Sequence, residues 1–324
     1  MIAAGGIAAI ALLPGDDEAN GGPKGEAGRW TTGPDSPLAR TEVGAARVNR
    51  FIYVVGGFVP PSGETTGEVA RYDVSAGTWS LVAPMPLAVN HAAVASHGGQ
   101  LYVYGGYTDN GALAGETDAL QRYDPATDTW TRLPGSGTFR GAATLAALGD
   151  SLYAIGGAAN GAPLRLVQVY DVPGGGWRPG PGMKVAREHL ASAVLGGRIL
   201  AVGGRSAGRN LKVVEALKPG RGGWSRFPSL RVARSGFQAA AVPGGVVAVG
   251  GEELASGGET IGPVELFRRG GQRWLELPGM LTPRHGLGVA SSGRRVFAIE
   301  GGPRPGFSFS SVVELLTLPK RLPR

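Results

Sequence analysis

Five arginines recur at one position of a repeating chain. Arg40, Arg140, Arg187, Arg234 and Arg284 each stand just before a small apolar run, as in Arg187-Glu188-His189-Leu190-Ala191-Ser192-Ala193-Val194-Leu195. A guanidinium carries a planar fork of donors that grips a carboxylate or a sulfate-like group in bidentate fashion. Val89 interrupts the series, and Asn90 and His91 follow it. His91 and His189 share one place, two residues after the arginine position, and His285 is one residue after it. Imidazole moves protons near neutral pH and ligates metals. His97 precedes a turn and is expected to face solvent. With no cysteine in the chain, disulfides, thiolate metal sites and cysteine nucleophiles are excluded.

The same arginines have a competing role. Gln121, Gln168, Glu215, Glu265 and Glu314 fall at aligned positions of a later run in successive repeats. Each can hold an arginine in its own or a neighbouring repeat, which would make the pairs scaffold. The two roles can coexist, because one carboxylate does not use all five guanidinium donors.

The elements that must position these residues are strands. Runs such as Phe51-Ile52-Tyr53-Val54-Val55 and Val246-Val247-Ala248-Val249 are β-branched, of strand length and followed by Gly-Gly. Tryptophans at 30, 79, 130, 177, 224 and 274 step by 49, 51, 47, 47 and 50 residues. Gly-Gly pairs beginning at 56, 105, 156, 203 and 250, with Glu300-Gly301 as a sixth variant, repeat the same steps. A period near 50 with four short strands in each unit predicts a ring of repeated sheets. Tyr72-Asp73, Tyr123-Asp124 and Tyr170-Asp171 mark the third strand, and a proline closes the fourth strand after each Trp.

The order Arg, Gly-Gly, Tyr-Asp, Trp, Pro resembles the kelch repeat over residues 29–318. The resemblance implies an all-β, six-bladed propeller with its first strands lining a central channel. It would place the arginines as a collar near one channel mouth. Trp30 precedes any Gly-Gly pair, and Ser311 to Leu316 has no Trp after it. The strand near Trp30 is therefore expected to complete the last blade and close the ring. Residues 1–28 read as an apolar leader and flexible linker, and 319–324 as a tail.

Composition bounds the rest. Residues 1–150 carry 9 Lys+Arg against 15 Asp+Glu, and residues 151–324 carry 23 against 10. One half of the ring is thus acidic and the other basic. The basic residues are scattered over loops without interleaved aromatics, which argues against nucleic acid. Ile2 to Leu13 is an apolar run too short to span a bilayer, which takes about 20 residues. Its length suits a signal-peptide core, so an extracytoplasmic or membrane-associated location is expected, with a cytoplasmic leader as the alternative.

The function expected from these residues is non-catalytic binding of a protein or an anionic glycan, with the chain acting as a monomer. The contacts would come from Arg40, Arg140, Arg187, Arg234, Arg284, Asn90 and His91, and from loops carrying Phe58, Tyr107, Phe307 and Phe309. No cofactor is expected. A metal site is not expected either, because alternate blades should hold His91 and His189 well apart, whereas zinc ligands must converge to about 2 Å from the ion. The alternative is a sugar-modifying enzyme resembling the sialic-acid mutarotases of the kelch fold, with His189 or Glu188 as proton shuttle. The copper radical oxidases of similar fold need a cysteine bonded to a tyrosine, which this chain lacks.

Overall fold

The computed structural model describes residues 27–254 and 258–323. The apolar run at 2–13 lies outside them, as does most of the expected linker. The described residues form strands and turns with no helix.

Six four-stranded antiparallel sheets follow one another around a ring. Their innermost strands are Gly44–Val48, Ala93–His97, Thr144–Leu148, Ala191–Leu195, Gln238–Val242 and Gly288–Ser292. The second strands, such as Phe51–Val55 and Gly245–Val249, are almost wholly buried because a neighbouring blade covers each face. That is why they read as continuous apolar runs rather than as alternating ones. The core is accordingly a set of apolar layers between blades. Trp30, Val247, Val249, Leu266, Val296 and Leu316 form one such layer between the fifth and sixth.

The ring closes through the two ends of the described chain. Arg29–Thr32 pairs antiparallel with Val313–Thr317, Trp30 standing opposite Leu316. The sixth sheet therefore takes its outermost strand from the N-terminal side, as the spare Trp predicts, and two free sheet edges disappear.

The repeat marks are inter-blade joints. Each Trp donates its indole N–H to a carbonyl at the end of the preceding blade's outer strand: Trp30 to Pro278 at 2.8 Å, Trp79 to Pro34 at 3.0 Å, Trp130 to Ala83 at 2.8 Å, Trp177 to Pro134 at 2.8 Å, Trp224 to Pro181 at 2.7 Å and Trp274 to Pro228 at 2.8 Å. On the inner side, the second residue of each Gly-Gly pair donates to the carbonyl at the next blade's arginine position. Gly57 bonds Val89 at 2.9 Å, and Gly301 closes the circle on Arg40 at 2.8 Å. The first glycine has no room for a side chain. A Cβ on Gly56 would lie 2.1 Å from the carbonyl oxygen of Val89, and its φ of 61° suits only glycine without strain.

Candidate active and binding site at the channel mouth

The arginine collar is not a ligand surface. Arg40, Arg140, Arg187, Arg234 and Arg284 are all 0 % exposed. Their heads bond backbone carbonyls of their own blade, as Arg187 does to Gly203 at 3.1 Å and Val213 at 2.7 Å. The aligned third-strand groups complete the lock: Glu215 at 3.1 Å from Arg187, Glu265 at 2.8 Å from Arg234, Glu314 at 3.7 Å from Arg284, and Gln168 at 3.0 Å from Arg140. The scaffold role wins for a simple reason. The exit from the second strand and the entry to the third leave buried carbonyls that need donors, and a multi-donor guanidinium supplies several at once. In the second blade, where Val89 replaces the arginine, Gln121 instead bonds both the N–H and the carbonyl of Leu87.

Beyond the arginine the chain enters the channel through a left-handed residue in every blade. Glu42, His91, Ala142, His189, Gly236 and Gly286 all have φ between 50° and 61°. Their backbones form a closed ring of hydrogen bonds. His91 N–H donates to Glu42, Ala142 to His91, His189 to Ala142, Gly236 to His189, Gly286 to Gly236, and Val43 to Gly286, at 2.8–3.2 Å. Glycine is the low-cost residue here, and a side chain at this φ costs about 1–2 kcal/mol. Three positions keep a chemically useful side chain in spite of that cost.

Those three side chains converge. The rings of His91 and His189 are 4.8 Å apart, so the expectation that alternate blades separate them is overturned. The ring of left-handed residues is narrow enough for side chains of alternate blades to meet within it. His91 Nε2 lies 3.1 Å from Glu42 Oε2. His285 Nε2, from the layer above, lies 3.5 Å from Glu42 Oε1 and 3.6 Å from Glu252 Oε2. Glu188 contacts His189 Nδ1 and Arg205 Nε, and Arg205 Nη1 reaches Glu252 at 3.5 Å.

The hydrogen-bond network fixes the tautomers. The Asn90 amide donates to Thr65, Tyr107 and Asp109 oxygens, which turns its own carbonyl toward His91 Nδ1 at 2.6 Å. His91 therefore donates from Nδ1 and presents a lone pair on Nε2. Burial, reinforced by His189 and Arg205, holds its pKa well below the usual imidazole range. Burial and then the Glu252 carboxylate push Glu42 up to about 8, against the pull of Arg205. Near neutral pH, then, a protonated Glu42 donates to a neutral His91. Burial also lowers His285. Burial opposes ionisation of Glu188, but His189 and Arg205 outweigh it and hold its pKa low.

Above this polar floor lies a cleft of about 200 Å³. Phe58, Leu113, Leu254 and Phe307 wall it, and His91, His189, Arg205, Glu252 and His285 contribute to its floor. Phe307 is 56 % exposed, Leu113 48 % and Leu254 47 %. Phe58 is buried against Phe307, their rings 5.2 Å apart. Phe309 is half-buried. His97 is also half-buried rather than exposed, at the far end of its strand.

Sequence reasoning placed His91, His189, Glu188 and Asn90 here and missed Glu42, Arg205 and Glu252. The signal was positional. Glu42 follows Arg40 at the same distance at which His189 follows Arg187, and Arg205 and Glu252 each follow directly on a Gly-Gly pair. Glu300, an irregularity of that pair, proves to be scaffold: its carboxylate is bidentate on Arg40.

Comparison with known proteins fits this architecture. Residues 42–251 match the KLHDC2/KLHL20/DRC7 Kelch-repeats domain family. Kelch-like protein terF of Aspergillus terreus is 39 % identical over 143 residues, which is 41 % of this chain and 31 % of that protein. Kelch-like protein 35 of Mus musculus is 37 % identical over 106 residues, 33 % of this chain and 18 % of that protein. The matches thus span a third or less of the length of these relatives. The solved structure of YjhT superposes with a TM-score of 0.75 at 14 % identity, covering 89 % of this chain and 98 % of that one, a likeness of fold. The chain belongs to the Kelch-repeats domain family and builds it as a closed six-bladed propeller.

Proposed function

We propose that this protein is a recognition module whose channel-mouth cleft receives a projecting segment of a protein partner. The observation that carries this reading is the pairing of exposed Phe307, Leu113 and Leu254 with a buried polar floor around about 200 Å³ of space. Large apolar side chains left exposed around a concave site are what interfaces use as anchors. The charge of the floor selects the kind of group inserted. Arg205 is already held by Glu188 and Glu252, so the mouth offers little free positive charge to an anionic glycan. A neutral or cationic side chain with an apolar stem fits better.

The test is a Phe307→Ala/Leu254→Ala double variant, with partners of the wild-type chain identified by mass spectrometry and their affinities measured. We expect at least a tenfold loss of affinity with an unchanged melting temperature, because both side chains are exposed. Unchanged affinity for every partner contradicts the reading.

A second reading is acid–base chemistry on a neutral ring such as a sugar, of the mutarotase kind. It is supported by one observation: Glu42, with a pKa raised to about 8, is in contact with a neutral His91 beneath an open cleft. Such a pair can give and take a proton near neutral pH. Faster anomer exchange of added sugars by NMR, lost in Glu42→Gln, is the outcome this reading requires.

A further inference from the structure

We propose that Glu42, His91 and His189 bind one divalent transition-metal ion of the zinc type at the floor of the cleft, with a remaining coordination position open to it. The inference is independent of which ligand the cleft takes. One ligand atom from each of the three residues lies within 4.8 Å of the other two. An ion at their centre needs each atom to move inward by less than about 1 Å to reach bonds of about 2.0–2.2 Å. Side-chain rotation supplies that much without moving the backbone ring.

The imidazoles are prepared for ligation. A metal-binding histidine ordinarily gives its second nitrogen's proton to a carboxylate or carbonyl, which orients the ring and raises its basicity. His91 Nδ1 faces the Asn90 carbonyl oxygen, and His189 Nδ1 faces the Glu188 carboxylate. His285 Nδ1 faces the Gly302 carbonyl at 3.1 Å. All three therefore turn Nε2 lone pairs inward. A competitor is Arg205 Nη2, 3.3 Å from His189 Nε2, at the long edge of hydrogen-bond range. Arg205 keeps its carboxylate partners if it yields that contact.

Charge and donor type select the ion. With Glu42 ionised, the carboxylates of Glu42, Glu188 and Glu252 face the single guanidinium of Arg205, leaving two negative charges for a divalent cation to neutralise. Two imidazoles and one carboxylate suit zinc-like borderline ions and disfavour magnesium or calcium, which prefer oxygen shells. The other three places of the ring carry Ala142, Gly236 and Gly286, whose small or absent side chains leave room beside the ligands, and Glu42, His91 and His189 all line the cleft. Thr41 Oγ1 lines the cleft, is buried and lacks a protein partner, which leaves it free to bond a metal-bound water.

The experiment titrates EDTA-stripped, dialysed full-length protein with Zn²⁺ by calorimetry and with Co²⁺ by visible absorption. The expected result is saturable one-to-one binding, cobalt d–d bands, and a Zn²⁺-dependent rise in melting temperature. His91→Gly and His189→Gly should fold, because glycine already occupies this place in the fifth and sixth blades. Each should weaken Zn²⁺ at least tenfold and erase the cobalt bands. Glu188→Gln, which leaves the ligands in place, should weaken Zn²⁺ about 10- to 100-fold. Absence of one-to-one binding in the wild type overturns the proposal. So does Zn²⁺ affinity unchanged in the two glycine variants, or lost instead in His97→Ala at the far end of the strand.

Discussion

Glu300 Oε2 lies 2.8 Å from Nε of Arg40, and the two residues are 260 positions apart. The pair explains two irregularities at once. The first blade has Ala70 where its siblings carry Gln or Glu, so Arg40 finds no partner in its own third strand. Glu300, replacing a glycine of the sixth blade at φ 57°, supplies the missing carboxylate from across the closure, and Ser36 Oγ bonds it at 2.6 Å. Restoring the repeat with Glu300→Gly relieves about 1–2 kcal/mol of left-handed strain. It also strands a buried guanidinium, at about 3–5 kcal/mol. We expect net destabilisation in urea unfolding, and partial rescue when Ala70→Glu is added.

Arg187→Ala should behave as a folding defect. It removes donors from the Gly203, Val213 and Ala201 carbonyls and leaves Glu215 buried without its guanidinium. The expected cost is about 3–5 kcal/mol. Any loss of binding should track the loss of folded protein in circular dichroism. A variant that stays fully folded yet loses its partner would return the arginine to a ligand role.

Trp30 holds the ring shut through its strand pairing, its place in the apolar layer and its bond to Pro278. Trp30→Ala should cost about 3–5 kcal/mol. Deletion of residues 1–33 should cost more, because it also bares the edge of Val313–Thr317. Equal melting temperatures for the deletion and the full chain would show that closure contributes nothing.

The ring was legible because its marks are large and periodic, and their placement follows from packing alone. Their bonding was not. That Trp79 donates to Pro34, or Gly301 to Arg40, depends on which blade lies beside which, and that is known only once the ring is closed. The arginines misled because type and spacing do not report burial. A guanidinium facing solvent and one facing three buried carbonyls have the same sequence signature. Glu42 escaped notice because its partners, His91 and His189, lie in other blades, and only the narrowness of the left-handed ring brings them together.

Glu42 also predicts a pH dependence for the metal-free protein. Its folded pKa, raised to about 8 by burial and by Glu252, exceeds the ordinary value of 4.5 that the group has in an unfolded chain. Between those values the folded state holds the proton more tightly, so this group's contribution to stability is full below about pH 4.5 and falls as pH rises toward 8. The change is on the order of a few kcal/mol. Urea unfolding in EDTA from pH 5 to 8 should show the decline, and Glu42→Gln should flatten it.

We place recognition at the cleft end of the channel. Site-specific photocrosslinking tests it most directly, with a benzophenone side chain at position 307 in one protein and at position 198, at the far end of the blades, in another. One set of partner proteins should crosslink from 307 and not from 198, and Leu254→Ala should reduce the yield. Equal crosslinking from both positions, or crosslinking from 198 alone, would contradict this placement.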